Sequence, residues 1–184
     1  MMLPTFDEVK NLGISSVIIA IIFSIRNFSQ FLFFFSSSVI ILFVSSSIAK
    51  IVANKMKAKA ILKIHLPGSL AGLILSLLGM KFCPVVSLES YGYKFGRWNR
   101  KFLWLTPTET GIISASFIIS ILMVSSIFFF IGFKEISLVG FWLSVSLLLP
   151  FRGLEGERIL KWNFGIWVMF LILSVLAIVM ITWI

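Results

Sequence analysis

A chain of 184 residues that is 59% apolar and 12% charged leaves too little polar surface for a soluble domain. Its net charge of +9 sits in the links between apolar runs, where lysine and arginine meet lipid headgroups, so the charge reads as a topological determinant and not as a nucleic-acid footprint. One histidine and one cysteine exclude a zinc site built on several histidines, an internal disulfide and a cysteine-rich metal cluster.

The charge-free runs are 11–25, 27–49, 64–80, 110–133, 136–151 and 162–184. A bilayer core about 30 Å thick takes roughly 20 helical residues to cross. Runs of 23, 24 and 23 residues meet that length outright. Continuous apolar runs, in place of alternating ones, select helices over a barrel.

In chain order, the run 11–25 follows a head with Asp7, Glu8 and Lys10, and no small-residue cleavage site comes after Ile25. It reads as a permanent first span and not as a secretory signal. A second span is expected near 28–49. Its Ser36-Ser37-Ser38 and Ser45-Ser46-Ser47 triplets place Ser36 and Ser47 near one helical face, and small residues on such a face imply close helix packing. Ser46 and Ser47 also precede Lys50 at the spacing of a serine and lysine dyad. A dyad needs a desolvated amine, whereas Lys50 opens a run of five basic residues, so helix packing is the default reading.

Residues 50–63 and 81–109 read as basic loops around 64–80. That stretch is short for a straight span and is punctuated by Pro67-Gly68, Gly72, Gly79 and Pro84. It is expected to double back or to lie at the interface, with its irregular backbone shielded by neighbouring helices. His65 has only Cys83, Glu89 and Glu155 as conceivable co-ligands and no metal-motif spacing, so it reads as structural.

Further spans are expected near 110–133, 136–150 and 162–184, the first two forced antiparallel by the tight link Phe133 to Ile136. Gly111 with Ala115, and Ser116 with Ser120, are expected to mark the face that meets the second span. Trp98, Trp104 and Trp162 beside basic clusters, with Trp183 at the opposite end, read as an aromatic belt. Between the last two spans, Leu147 to Lys161 breaks at Pro150 and Gly153 and then carries Glu155 and Glu157. Carboxylates at such a break face a cavity or a basic partner, and Glu157 with Arg158, or Arg152 with Glu155, are pairs within reach.

Lysine and arginine choose between topologies. If 64–80 crosses, the two faces carry seven and nine of them, which is no bias. If it enters and returns, all sixteen except Arg26 and Lys134 fall on one face. The expectation is therefore a single polytopic domain over 1–184 in the cell membrane. It has about five transmembrane helices plus the 64–80 segment, with the N-terminus and basic loops cytoplasmic and the C-terminus outside.

The segment Leu147, Pro150, Leu154-Glu155-Gly156 resembles the late core helix of the site-2 protease family of intramembrane zinc metalloproteases, which carries an asparagine, a proline and then a Leu-Asp-Gly ligand segment. The resemblance extends through Tyr91 to Lys101 and Leu105 to Ser114, which look like archaeal members, and covers nearly the whole chain. It implies an all-α membrane core in which an H-E-x-x-H motif and a later aspartate hold zinc. The matching positions here are Ser46 to Lys50, followed by Ile51 to Ala53, without either histidine or the glutamate. The aspartate reads Glu155, the asparagine reads Leu147, and the family's Gly-Pro reads Phe117-Ile118. The turn residues Pro150, Gly153 and Gly156 remain. Ser46, Ser47, Lys50, Leu147 and Glu155 are thus expected as vestigial site positions with no metal, cofactor or catalytic residue, Lys50 itself opposing a cation. The function expected is that of an inactive pseudoprotease binding a membrane protein or transmembrane helix, with anionic lipid at its basic face. The alternative is a structural subunit of a larger membrane complex.

Overall fold

The computed structural model describes residues 6–25, 27–92 and 105–183. Arg26, Trp98, Trp104 and much of the expected 81–109 loop lie outside them. The elements run α1 Phe6–Ser24, a 3-10 turn Phe28–Gln30, α2 Phe31–Lys55, β1 Ala58–Ile64, α3 Leu66–Leu77, β2 Val86–Gly92, α4 Pro107–Ile131, α5 Lys134–Leu148, α6 Glu155–Trp162 and α7 Phe164–Trp183. The chain is mostly helical, as expected. Among the described residues Phe28–Lys55, Pro107–Ile131 and Phe164–Trp183 are long and apolar enough to cross a membrane. At 1.5 Å per residue, α7 with its 20 residues is about as long as a bilayer core is thick.

Helix ends follow local chemistry. Thr106 and Glu109 form a reciprocal capping box in front of α4, Pro107 occupies its first turn, and Gly132 closes it in the left-handed region. The helices then pack through stripes at three- and four-residue spacing. In α2 the buried stripe is Phe34, Ser38, Ile41, Leu42, Ser45, Ala49 and Ala53. Ser36 and Ser47 are not on it: Ser36 is exposed, and the two hydroxyls bond the carbonyls of Leu32 and Phe43 within their own helix. The packing serines are their neighbours. Ser38 Oγ reaches Ser16 O of α1 at 3.2 Å, and Ser120 Oγ of α4 reaches Ser45 O at 3.4 Å. Ser120 therefore marks the face expected of it, whereas Gly111 turns toward α6, where a Cβ would stand 2.3 Å from Trp162 Cβ.

The expected basic loop 50–63 is instead the last turns of α2 followed by a strand, so the fold is not all helix. In Ala58–Ile64 the even positions Ala58, Ala60 and Leu62 are buried while Lys59 and Lys63 alternate with them, the period-2 pattern of a half-buried strand. β1 pairs antiparallel with β2, Leu62 opposite Leu88, and packs on α1 and α2. Asn11 Nδ2 of α1 donates to Leu62 O at 3.1 Å.

Residues 64–80 also differ in detail from expectation. Pro67 and Gly68 do not break a helix; they begin one, since Pro67 sits in the first turn of α3 and His65 caps it through Nδ1, which accepts from Gly68 N. The reversal comes at Gly79, whose φ is +87°. The chain then returns extended alongside α3 until His65 N meets Val85 O at 2.8 Å and the two strands begin. α3 itself therefore runs one way, and the return falls in 80–85, past the stretch expected to hold both. The buried face of α3 is small, Gly68, Ser69, Gly72 and Ser76, because the returning backbone lies directly on it. A Cβ on Gly72 would stand 2.7 Å from Phe82 O. The return is shielded by protein: Cys83, Val85 and Val86 are fully buried, and Ser146 Oγ of α5 accepts from Cys83 N at 3.0 Å.

At the reversal, Lys81 lines a cavity together with Asn27, Gln30 and Glu135, at the end of the bundle where α1 gives way to α2 and α4 to α5. Its expected place with the basic loops is therefore corrected, because the doubled-back segment carries it across to the far end. Described lysines and arginines still divide unevenly. Lys10, Lys50, Lys55, Lys57, Lys59, Lys63, Arg152, Arg158 and Lys161 gather at one end, with Lys81 and Lys134 at the other.

Gly72→Val should lower the thermal midpoint in detergent by an amount equivalent to about 2 kcal/mol or more, since backbone and not a flexible side chain must move. Gly13→Ala, which meets nothing within 4 Å, should leave it unchanged.

Candidate functional site

The break after α5 is built by three residues. Pro150 cannot continue the helix, Gly153 turns the chain at φ +91°, and Gly156 lets the first turn of α6 press against the last turn of α5. A Cβ on Gly156 would stand 2.1 Å from Leu148 O and 2.6 Å from Leu149 O, both backbone atoms. This close approach points Glu155 inward, and it is fully buried.

Glu155 meets the edge of β2. Its Oε1 accepts from Leu88 N at 2.6 Å, while the guanidinium of Arg158 donates to Leu88 O and lies 3.8 Å from the same carboxylate oxygen. One acid and one base thereby satisfy both backbone groups of Leu88, as a third strand would. Ser87 Oγ reinforces the clasp by donating to Gly153 O at 2.6 Å. Among the described residues, Glu155 Oε2 is buried with no hydrogen-bond partner. Burial pushes the Glu155 carboxyl above its ordinary range, against the pull of Arg158 and of the Leu88 N–H.

The ion pairs differ from those within reach on the sequence. Glu155 pairs with Arg158, and Glu157 pairs with Lys161 at 2.6 Å, because these are neighbours three and four residues apart on α6. Lys161, and with it the N–H of Gly153, holds the Glu157 carboxyl below its ordinary value. Arg152 instead offers its carbonyl to His65 Nε2 at 3.3 Å. Since His65 Nδ1 accepts from Gly68 N, Nε2 is the nitrogen that carries the proton, and the ring ties α3 to the break.

At the other expected position, Ser46 and Ser47 both donate to Phe43 O, at 3.1 and 2.7 Å, while Lys50 Nζ turns to Glu8 Oε2 at 3.0 Å. No serine and lysine dyad forms. Lys50 and Glu8 are mostly buried, with side chains 22% and 6% exposed, and they join the last turns of α2 to the first turn of α1. Leu147 is fully buried, as are Phe117 and Ile118. α4 separates the two places, packing on α2 along one side and on α6 along the other. The structure thus gathers Pro150, Gly153, Glu155 and Gly156 into one turn and gives Lys50 a partner of its own.

Two participants escaped the sequence reading. Glu8 lies 42 residues from Lys50, and its only signal is that it heads an apolar run in which a carboxylate would otherwise be costly. Leu88 contributes backbone alone, which no residue pattern announces. Among the described residues no group of three histidine, cysteine, aspartate or glutamate side chains is placed to hold a metal ion. Comparison of the chain with family models, with curated proteins and with solved structures found no match.

Two outcomes test these assignments. Lys50→Leu, which takes the ammonium away from the buried Glu8 carboxylate, should destabilise the protein by about 3 kcal/mol, and the double variant with Glu8→Leu should recover most of that loss in thermal unfolding. The second concerns pH. Folded Glu155 holds its proton more tightly than a free carboxyl, so its contribution is full below the ordinary value of 4.5 and is lost as pH rises through the raised one. The wild type should therefore lose thermal stability relative to Glu155→Gln as pH increases, and a difference independent of pH contradicts the assignment.

Proposed function

We propose that this chain is a catalytically inactive membrane protein of site-2 protease-like build that binds or scaffolds membrane partners. The observation that carries the reading is the Lys50 to Glu8 pair, which commits the position matching the family's metal-binding helix to an ammonium already neutralised inside the fold. Glu155, at the position matching the later ligand, is likewise committed, to Leu88 N and Arg158. A metal would have to displace both sets of partners and overcome the charge of Lys50.

In this reading α1, α2, α4, α5 and α7 cross the bilayer, while α3 enters and the extended residues 80–85 return to the same face. The nine-to-two division of described lysines and arginines supports a cytoplasmic N-terminus and basic end. The shorter α1 and α5 have 19 and 15 residues and reach the headgroups through flanking charged residues such as Lys10 and Lys134. Partners are other integral membrane proteins or a transmembrane helix, met on the exposed apolar faces. Anionic headgroups gather at the basic end.

Metal analysis of the purified protein, with a transmembrane reporter as substrate, tests the proposal. The expected outcome is well under one zinc per chain and no cleavage with or without added zinc. Stoichiometric metal together with chelator-sensitive cleavage overturns it. Copurification in mild detergent distinguishes the alternative: a chain recovered only with partners at fixed ratio, and unstable alone, is a structural subunit.

A further inference from the structure

Among the described residues five hydrogen bonds pass through His65, two of them through its ring. The backbone N–H donates to Val85 O at 2.8 Å, and the backbone carbonyl accepts from Ser69 N and Ser69 Oγ, both at 2.9 Å. In the ring, Nδ1 accepts from Gly68 N at 3.1 Å and Nε2 donates to Arg152 O at 3.3 Å. One half-buried residue thus joins the end of β1, the first turn of α3, the returning residues 80–85 and the break between α5 and α6. Gly68 is closely flanked at this junction. A Cβ there would stand 2.1 Å from Pro84 O and 2.6 Å from His65 Nδ1, so the first turn of α3 is held between the ring and the returning backbone.

Only the two ring bonds depend on protonation. A neutral imidazole with its proton on Nε2 is a donor on one side and an acceptor on the other, as Arg152 O and Gly68 N require. A second proton occupies Nδ1 and makes both nitrogens donors, so no rotation of the ring gives Gly68 N an acceptor again. It also sets a positive charge against the N-terminus of α3, where the helix dipole opposes it. The carboxylates on the elements that meet His65 are already engaged. On the break and α6, Glu157 is bonded to Gly153 N and Lys161, and Glu155 to Leu88 N and Arg158. On the strands Glu89 is bonded to Lys63 and Tyr91, α3 has no charged residue, and Arg152 adds a further positive charge.

We propose that His65 is a pH-sensitive latch on α3, closed while the ring is neutral and opened when Nδ1 takes a proton. Opening removes the cap, loosens the first turn of the helix and with it the returning backbone that rests on Gly68, while Nε2 keeps its bond to Arg152 O. Acidification at the basic end of the bundle is the signal. The latch rests on the hydrogen bonds of one ring and is independent of the protease-like reading.

Hydrogen-exchange mass spectrometry of the full chain in mild detergent tests it, with rates corrected for the intrinsic pH dependence of exchange. From about pH 8 to about pH 5, the interval in which imidazoles change charge, protection of residues 66–72 should fall about tenfold while that of α4 stays constant. Asparagine places its carbonyl oxygen where Nδ1 stands and does not titrate, so protection in His65→Asn should not change across the interval. Constant protection in the wild type, or a fall that His65→Asn shares, overturns the proposal. Nitrogen NMR of the wild-type ring gives a reading that needs no variant, since His65 is the only histidine of the chain. Nδ1 should be unprotonated at the alkaline end and take its proton as the Gly68 amide loses protection. A proton on Nδ1 at the alkaline end, or a ring still neutral at the acidic end, overturns the proposal as well.

Discussion

In an apolar layer a backbone N–H or C=O without a partner costs several kcal/mol, and that constraint organises this chain. Helices meet it internally. Where the backbone leaves the helix, other groups must supply the missing bonds, and each such place recruits a polar side chain. Ser146 takes the N–H of Cys83, His65 ties α3 to the break, and Glu155 with Arg158 closes the edge of β2 at Leu88. The abundant serines meet the same constraint for their own hydroxyls, bonding carbonyls of their own helix or of the helix beside them.

The doubled-back segment joins this constraint to packing. An extended strand can lie on a helix only if the helix presents almost no side chain there, hence the small face of Gly68, Ser69, Gly72 and Ser76. Its opposite face, Leu66, Leu70, Ile74 and Leu77, is apolar and exposed. One twelve-residue helix thus separates protein interior from surroundings with a single change of residue size.

Much of the helical framework was legible in hydropathy alone, because apolar runs of 23 or 24 residues admit few alternatives. The breaks around 64–80 were legible too, from glycine and proline, although the return falls in 80–85, beyond the stretch expected to hold it. What escaped were features set by tertiary pairing. Lys59 and Lys63 looked like loop cations because their strand is only seven residues long and half of it is buried against α1 and α2. Lys81 looked like its sequence neighbours, although a reversal at Gly79 carries it to the other end. At the candidate site the turn residues were readable and the partners were not. Pro150, Gly153 and Gly156 act through local backbone geometry, while Glu8 and Leu88 reach their partners across 42 and 67 residues.

Cys83 is the lone cysteine of the chain, enclosed between the returning strand and α5 with its Sγ 3.8 Å from Ser146 Oγ. A thiol so enclosed is silent toward labelling reagents while the fold is intact. Spectroscopic labels attached to cysteines introduced at exposed positions such as Phe28 or Met180 can therefore be read against a native background. The native thiol in turn becomes a chemical clock, since the rate at which it reacts counts how often the return strand lifts away from α5.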